Sequence, residues 1–256
     1  MSIKLFYKSY GEGEPLIILH GLLGASGNWH TLSRNVFADR FQVFTLDLRN
    51  HGRSPHSDIF DYPSMVGDLE RFIEERDLAP ANVLGHSMGG KVAMWLALEH
   101  PDLVRRLIVA DIAPRAYPPH HMHILNALKA LDLPAFTSRA EVDEALAEQI
   151  KEPAIRQFLL KNLDSNEGSD YRWKMNLPAI YENYPRINSA IESSRVYDGP
   201  ALFIKGGRSN YIAEKDEAQI KSLFPEAKMQ QIPDAGHWIH AEAPQRFAEM
   251  VLAFTG

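Results

Sequence analysis

This sequence predicts an α/β architecture, a mostly parallel sheet covered by helices on both faces. Three observations carry the prediction. Short apolar runs recur near both ends of the chain, as strands buried on both faces require. Helix-like stretches separate these runs, and parallel strand pairs need such crossovers. One segment, Gly85-His86-Ser87-Met88-Gly89, lies between an apolar run and a helical pattern, so a sharp turn joins a strand to a helix there.

In chain order, residues 3–7 read as a strand, Pro15-Leu16-Ile17-Ile18-Leu19-His20 as a second and residues 41–48 as a third. Asp61-Tyr62-Pro63 opens a helix. The aspartate caps free N–H groups, and proline suits a first turn, where its missing donor costs nothing. Met65, Leu69, Phe72 and Ile73 then recur at helical spacing. Residues 81–85 form a short strand, 88–100 a helix stopped by Pro101, and 103–112 the next strand.

The alternation stops after Ala113. Residues 114–195 open with Pro114, Pro118 and Pro119 and hold no convincing strand. Helix-like segments cover 122–131, 139–149, 153–163 and 171–184. Strand logic resumes at 200–205, followed by a helix (214–223), a strand (228–232) and a terminal helix (243–254). The expected organisation is a core of residues 1–113 and 196–256, with 114–195 as a helical cap. An insert between two parallel strands is expected to cover the C-terminal strand edge, where open α/β sheets bind ligands.

With 256 residues the chain can bury a full core, and its 45% hydrophobic and 23% charged content is ordinary for a globular protein. The net charge of −6 and the absence of any basic run give no case for nucleic acid. There is no cysteine, which excludes disulfides, thiolate catalysis and cysteine-ligated metals. Residues 1–5 lack the apolar core of a secretory signal, and no apolar stretch is long enough to span a bilayer. A cytoplasmic location is therefore expected, with no integral membrane segment; a homo-oligomer is left open.

Gly85-His86-Ser87-Met88-Gly89 matches G-x-S-x-G. The pattern lifts a serine hydroxyl above a sheet edge on a tight strand-to-helix turn, and small residues at 85 and 89 let strand and helix approach. A hydroxyl is a poor nucleophile near neutral pH and needs a base. His237, between the last strand and the terminal helix, is the expected base, while His240 is expected to pack or bond locally. His20-Gly21-Leu22-Leu23-Gly24 follows an early strand, so the Leu22 and Met88 amides are the expected oxyanion donors.

These segments, with Asp47-Leu48-Arg49-Asn50-His51-Gly52-Arg53-Ser54, resemble the α/β-hydrolase superfamily along nearly the whole chain. Asn50, Lys91 in "GHSMGGK" and the segment "FIKGG" resemble one branch, the YbfF-type bacterial esterases and their eukaryotic relatives. The resemblance implies an α/β-hydrolase fold and activity on short- to medium-chain acyl esters, or on acyl-CoA thioesters. The superfamily's usual acid follows the strand before the last in a G-x-x-D pattern. Aligned on Gly206, that position holds Ser209, which cannot supply a negative charge. Asp111, at the end of the strand after the nucleophile helix, is the natural candidate, and the resemblance points the same way. It keeps the chain order serine, acid, histidine. Ser209 is then an auxiliary orienter; Asp216, Glu214 and Asp198 are competing acids.

The residues and the resemblance together imply a serine carboxylesterase with Ser87, Asp111 and His237 as catalytic residues, acting on a small-molecule acyl ester without cofactor or metal. A thioesterase, a carbon–carbon bond hydrolase and a ligand receptor on the same fold are the alternatives. His120, His121 and His123 lack a carboxylate partner in sequence, so no metal site is expected. The loop 47–54 is expected to hold the active-site floor beneath His20 and His51. Lys91 is expected to be exposed or snorkelling, with no mechanistic role. Leu23, Tyr117, Trp173, Tyr181 and Trp238, with Met122 and Tyr184, are candidate pocket residues.

Overall fold

The computed structural model describes residues 2–166 and 169–256. Seven strands form one sheet in the order β1-β3-β2-β4-β5-β8-β9. These are β1 (Tyr7–Tyr10), β2 (Glu14–Leu19), β3 (Phe41–Leu46), β4 (Ala81–His86), β5 (Val104–Ala110), β8 (Ala201–Gly206) and β9 (Ala227–Ile232). Only the edge pair β1·β3 is antiparallel; every other neighbour pair in this sheet is parallel.

The continuous apolar runs divide by parity. Ile17, Leu19, Val83, Leu107, Val109 and Phe203 pack on one face, while Leu16, Ile18, Leu84, Ile108, Leu202 and Ile204 pack on the other. Both faces are therefore buried. Helices α2 (Tyr62–Glu74), α3 (Met88–Glu99) and α8 (Glu217–Leu223) cover the first, through residues such as Leu69, Val92 and Ile220. Helices α1 (His30–Asn35) and α10 (Pro244–Thr255) cover the second, through Leu32, Phe247 and Val251. The start of α2 follows the sequence signal: the Asp61 carboxylate accepts the Ser64 N–H at 2.9 Å.

Strand order reverses at β2. The chain runs from β2 outward to β3, then returns to lay β4 on the other side of β2. The loops leaving β2 and β4 therefore diverge from adjacent strand ends, the crevice where open α/β sheets hold ligands.

Between β5 and β8 lie α4 (Met122–Ala130), α5 (Arg139–Ala147), α6 (Pro153–Leu160) and α7 (Leu177–Ile187). The expectation that residues 114–195 lack strands is overturned. Strands β6 (Leu163–Asn166) and β7 (Ser169–Trp173) form an antiparallel pair, with Leu163 opposite Trp173 and Tyr171 opposite Ser165. The helix expected over 171–184 therefore starts late, at Leu177. Asn176 caps it, accepting the Ala179 N–H, with Pro178 in the first turn.

The expected first strand is also displaced. The Ile3 and Phe6 N–H groups go to side chains rather than to a neighbouring strand: Ile3 to Asp68 at 2.6 Å and Phe6 to Ser54 at 2.8 Å. Pairing begins only at Tyr7. Among the described residues, no helix is long and apolar enough to cross a membrane.

The position expected for Lys91 is corrected as well. Its side chain is 1% exposed. Nζ donates to the carbonyls of Arg115, at 2.8 Å, and Ser189, so one residue of α3 ties down both stems of the 114–195 segment. The cation also faces the Tyr117 ring at 5.0 Å. Helical periodicity places position 91 beneath the Ser87 turn, a register that exposure arguments from residue type overlook.

Burial lowers the Lys91 pKa to about 7, while the unfolded chain titrates near 10.5. Between those values the unfolded state binds more protons, so the contribution of Lys91 to stability rises with pH. Denaturant unfolding of wild type and Lys91→Met at pH 7 and 9.5 should show the wild type gaining on the variant as pH rises. The gain should approach up to about 1.4 kcal/mol per unit. A stability difference independent of pH would contradict this.

Candidate active site

Ser87 follows β4 directly and has φ 52° and ψ −120°, a region costly for any side-chain-bearing residue. The strain is held from both sides. Ser87 N–H donates to Ala110 O at 3.0 Å, and Ser87 O accepts the Lys91 N–H at 3.1 Å. The flanking glycines are steric requirements. A Cβ at 85 would strike the Gly89 carbonyl, and one at 89 would come within 2.6 Å of the Leu19 and His20 carbonyl oxygens. Met88 is the first residue of α3, so its N–H has no acceptor within the helix.

Asp111, one residue beyond β5, is fully buried and also has positive φ, 51°. Aspartate tolerates this conformation better than most residues. Its carboxylate is satisfied on both oxygens. Oδ1 accepts the Gly206 N–H at 2.9 Å; Oδ2 accepts the Ser209 hydroxyl and the His237 Nδ1–H, the latter at 2.8 Å. Three elements thus converge on one buried charge: the ends of β5 and β8 and the loop after β9. The competitor Asp216 is committed elsewhere, to Arg115 at 3.1 Å and the Ala213 N–H at 2.8 Å.

The loop after β2 lies against Ser87. A Cβ at Gly21 would sit 3.2 Å from Ser87 Cβ and 2.9 Å from His86 Nδ1. Two buried histidines brace this loop. His20 Nδ1–H donates to Gly21 O at 2.8 Å while Nε2 accepts the Leu48 N–H at 3.0 Å. His51 Nδ1–H donates to Arg49 O at 3.0 Å while Nε2 accepts the Leu23 N–H at 3.2 Å. Each ring must be neutral to accept at Nε2, and burial lowers both pKa values, that of His51 to about 3. Residues 47–54 are anchored in turn by Asp47, which accepts the Ser26 and Arg53 amides, and by the buried Arg49–Asp68 pair at 2.6 Å.

A cavity of about 260 Å³ opens beside Ser87 and His237, and its lining includes Leu22, Leu23, Ile124, Phe158 and Trp238. A second of about 30 Å³, bounded by Tyr117, Ile187 and Tyr211, reaches Ser87 from the Lys91 side.

Residues 14–244 match the family model described as the alpha/beta hydrolase fold. The chain belongs to the α/β-hydrolase family. It is 40% identical over 252 residues to the sn-1-specific diacylglycerol lipase ABHD11 of Danio rerio, covering 95% of this chain and 79% of that protein. It is 35% identical over 234 residues to Esterase YbfF of Escherichia coli, covering 91% of this chain and 89% of the relative. A solved marine microorganism esterase superposes with a TM-score of 0.96 at 46% identity, covering 99% of this chain and 100% of the other.

In this α/β-hydrolase the expected site residues are distributed unevenly. Ser87, His237 and Leu22 line the larger cavity and Met88 the smaller, with Asp111 and Ser209 behind His237 at the ends of β5 and β8. Leu23 and Trp238 wall the larger cavity and Tyr117 the smaller. Trp173 and Tyr181 line neither: Trp173 ends β7, and the Tyr181 hydroxyl donates to Asn126 at 3.0 Å. Met122 and Tyr184 also line neither, and the Tyr184 hydroxyl accepts the His121 N–H at 2.9 Å. Among the described residues no group of histidines and acids is placed to hold a metal. His240 stacks on Trp29, ring centroids 4.2 Å apart.

Three residues near His237 carry no obvious sequence signal. His86 Nε2–H donates to His237 O at 2.9 Å. Tyr211 stacks on the His237 ring. Glu242 accepts the Gly236 and Trp238 amides, clamping the loop on both sides of the histidine.

The bracing histidines give a direct spectroscopic expectation. In ¹⁵N–¹H correlation spectra, His51 should remain neutral, protonated at Nδ1, down to about pH 4, because burial holds its pKa near 3. A His51 midpoint near the free value of about 6.5 would contradict this arrangement.

Proposed function

We propose that the protein is a serine carboxylesterase that cleaves esters of short- to medium-chain acyl groups through an acyl-enzyme on Ser87. The observation that carries this reading is the Asp111–His237 pair held at the same strand ends as a strained, motif-borne serine. The relatives named esterase and lipase support the ester class.

On this reading, Ser87 Oγ attacks the acyl carbonyl carbon while His237 Nε2 takes its proton. The imidazolium that forms is stabilised by the Asp111 carboxylate, which stays ionised. The Leu22 and Met88 amides receive the negative oxygen of the tetrahedral intermediate. Such donors are worth most where water is excluded, because they are already oriented when charge develops. Collapse breaks the ester C–O bond, and the departing alcohol takes the proton from His237. Water then attacks the acyl-enzyme by the same route, releasing the acid and restoring the serine. Residues 114–195 act as a lid over this chemistry, supplying Ile124 and Phe158 to the wall beside Ser87. Their stems are bound to the core through Lys91 and through the Tyr62 hydroxyl, which donates to Ile187 O at 2.7 Å.

The cavity supports the chain-length assignment. At about 260 Å³ it falls below the usual range for pockets that enclose drug-sized ligands, about 300–1,000 Å³. It suits a short apolar chain better than a long one.

Hydrolysis of p-nitrophenyl butyrate should be readily measured in the wild type and fall to background in Ser87→Ala. Activity surviving in Ser87→Ala would overturn the nucleophile assignment. Across p-nitrophenyl esters of increasing acyl length, kcat/KM should peak at four to six carbons. It should fall at least about 10-fold by sixteen, because a chain that outgrows a cavity of about 260 Å³ must force its packed wall apart to bind. A rate that keeps rising to sixteen carbons would refute the chain-length assignment.

A further inference from the structure

Tyr211 lies flat against His237, with ring centroids 3.8 Å apart and planes 17° apart. A single hydrogen bond at Nδ1 leaves an imidazole free to tilt about that contact. A ring parallel to it removes the tilt. The tyrosine is itself fixed at both backbone polar groups. Its N–H donates to Ser209 Oγ at 3.2 Å, and its carbonyl accepts the Tyr117 hydroxyl at 2.5 Å. Ser209 in turn donates to Asp111. One loop after β8 therefore carries both a hydrogen bond to the acid and the platform under the histidine.

We propose that Tyr211 is a positioning residue for the general base, holding the His237 ring in its reactive plane and favouring its protonated form during proton transfer. This rests on the esterase reading above. The face of an aromatic ring attracts a cation set over it. The imidazolium formed when Ser87 loses its proton is such a cation.

The other groups around His237 do not duplicate this. Asp111 holds Nδ1 from β5. His86, from β4, lies 4.7 Å away between ring centroids and is kept neutral by burial. His121, at the start of α4, and His240, in the short helix Ile239–Glu242, are lowered by burial to about 4 and about 3 and are neutral as well. The Tyr211 hydroxyl is 3.5 Å from His121 Nε2, too long for a strong bond, so the ring rather than the phenol is the working part.

The test compares wild type, Tyr211→Phe and Tyr211→Leu on p-nitrophenyl butyrate from pH 5 to 9, with Ser87→Ala as blank and thermal melts to confirm folding. Tyr211→Phe should keep kcat within about 3-fold and the acid limb of kcat/KM in place. Tyr211→Leu should lower kcat by about 10-fold or more at unchanged KM, part of the 10²–10⁴-fold that a positioned base contributes. Its acid limb should move to lower pH, because the imidazolium loses its stacked face. In parallel, the rate of Ser87 labelling by a fluorophosphonate is measured, since it needs the base but no ester. If the wild type labels but cleaves no ester, the esterase reading fails while the labelling rates still decide the role of Tyr211. Tyr211→Leu with unaltered kcat, labelling rate and acid limb would overturn the proposal. So would a Phe variant as impaired as Leu, or a loss confined to KM.

Discussion

A carboxylate removed from water must be met by donors on every side, or it destabilises the fold by several kcal/mol. Asp111 is such a group, and its needs organise the site. Gly206, Ser209 and His237 supply its donors, and they come from the ends of two different strands, β8 and β9, and the loops beyond. Its own N–H is taken by Ile204 O at 2.9 Å, so the backbone of β5 is locked to β8 at the point where the carboxylate turns inward. Once this charge is satisfied, the histidine has one tautomer, with Nδ1 turned to Asp111. In the proposed mechanism, the serine strained on the neighbouring strand end is then served by a base whose tautomer is already set.

The sheet makes that convergence possible. Parity-sorted apolar runs bury both faces, so strands β2, β4, β5 and β8 are rigid, and their C-terminal ends stay in register. Reversal of strand order at β2 opens the crevice. The segment between β5 and β8 is fastened over it by polar contacts with buried core groups. Asn162 Nδ2 donates to Leu23 O at 2.7 Å, and the Asn176 amide donates to Asn50 O at 2.9 Å. Lys91 joins both stems. The Asn162 bond puts the 114–195 segment in contact with the same loop that carries Leu22.

Much of this was legible in the sequence, for identifiable reasons. Continuous apolar runs report strands buried on both faces, and the core elements lie within a few residues of where those runs place them. The turn at Ser87 was legible because tight strand-to-helix packing admits only small residues at 85 and 89. Asp111 was legible by subtraction, since Ser209 stands where a carboxylate is usual. What escaped detection depends on tertiary contact. The β6–β7 pair was hidden because its residues alternate no more clearly than a polar helix would. Lys91 looked like a surface cation because residue type says nothing about what lies above α3. Tyr211 is one aromatic among nine tyrosines, and nothing local announces that it will lie parallel to a histidine 26 positions on. Trp173 and Tyr181 line neither cavity that reaches Ser87; aromatic identity alone does not say which cavity a ring faces.

The central claim is that the charge on Asp111, and not merely a polar group at that position, makes Ser87 reactive through His237. The most direct measurement is the second-order rate of fluorophosphonate labelling at Ser87, followed by peptide mass, in wild type and Asp111→Asn. The asparagine keeps the size of the side chain but replaces the acceptor facing Nδ1, favouring the wrong tautomer. The account predicts one label per chain on Ser87 and a rate lower by about 10³–10⁴-fold in the variant, the scale seen when a triad acid becomes its amide. Labelling of Asp111→Asn at close to the wild-type rate, or labelling at another serine, would contradict it.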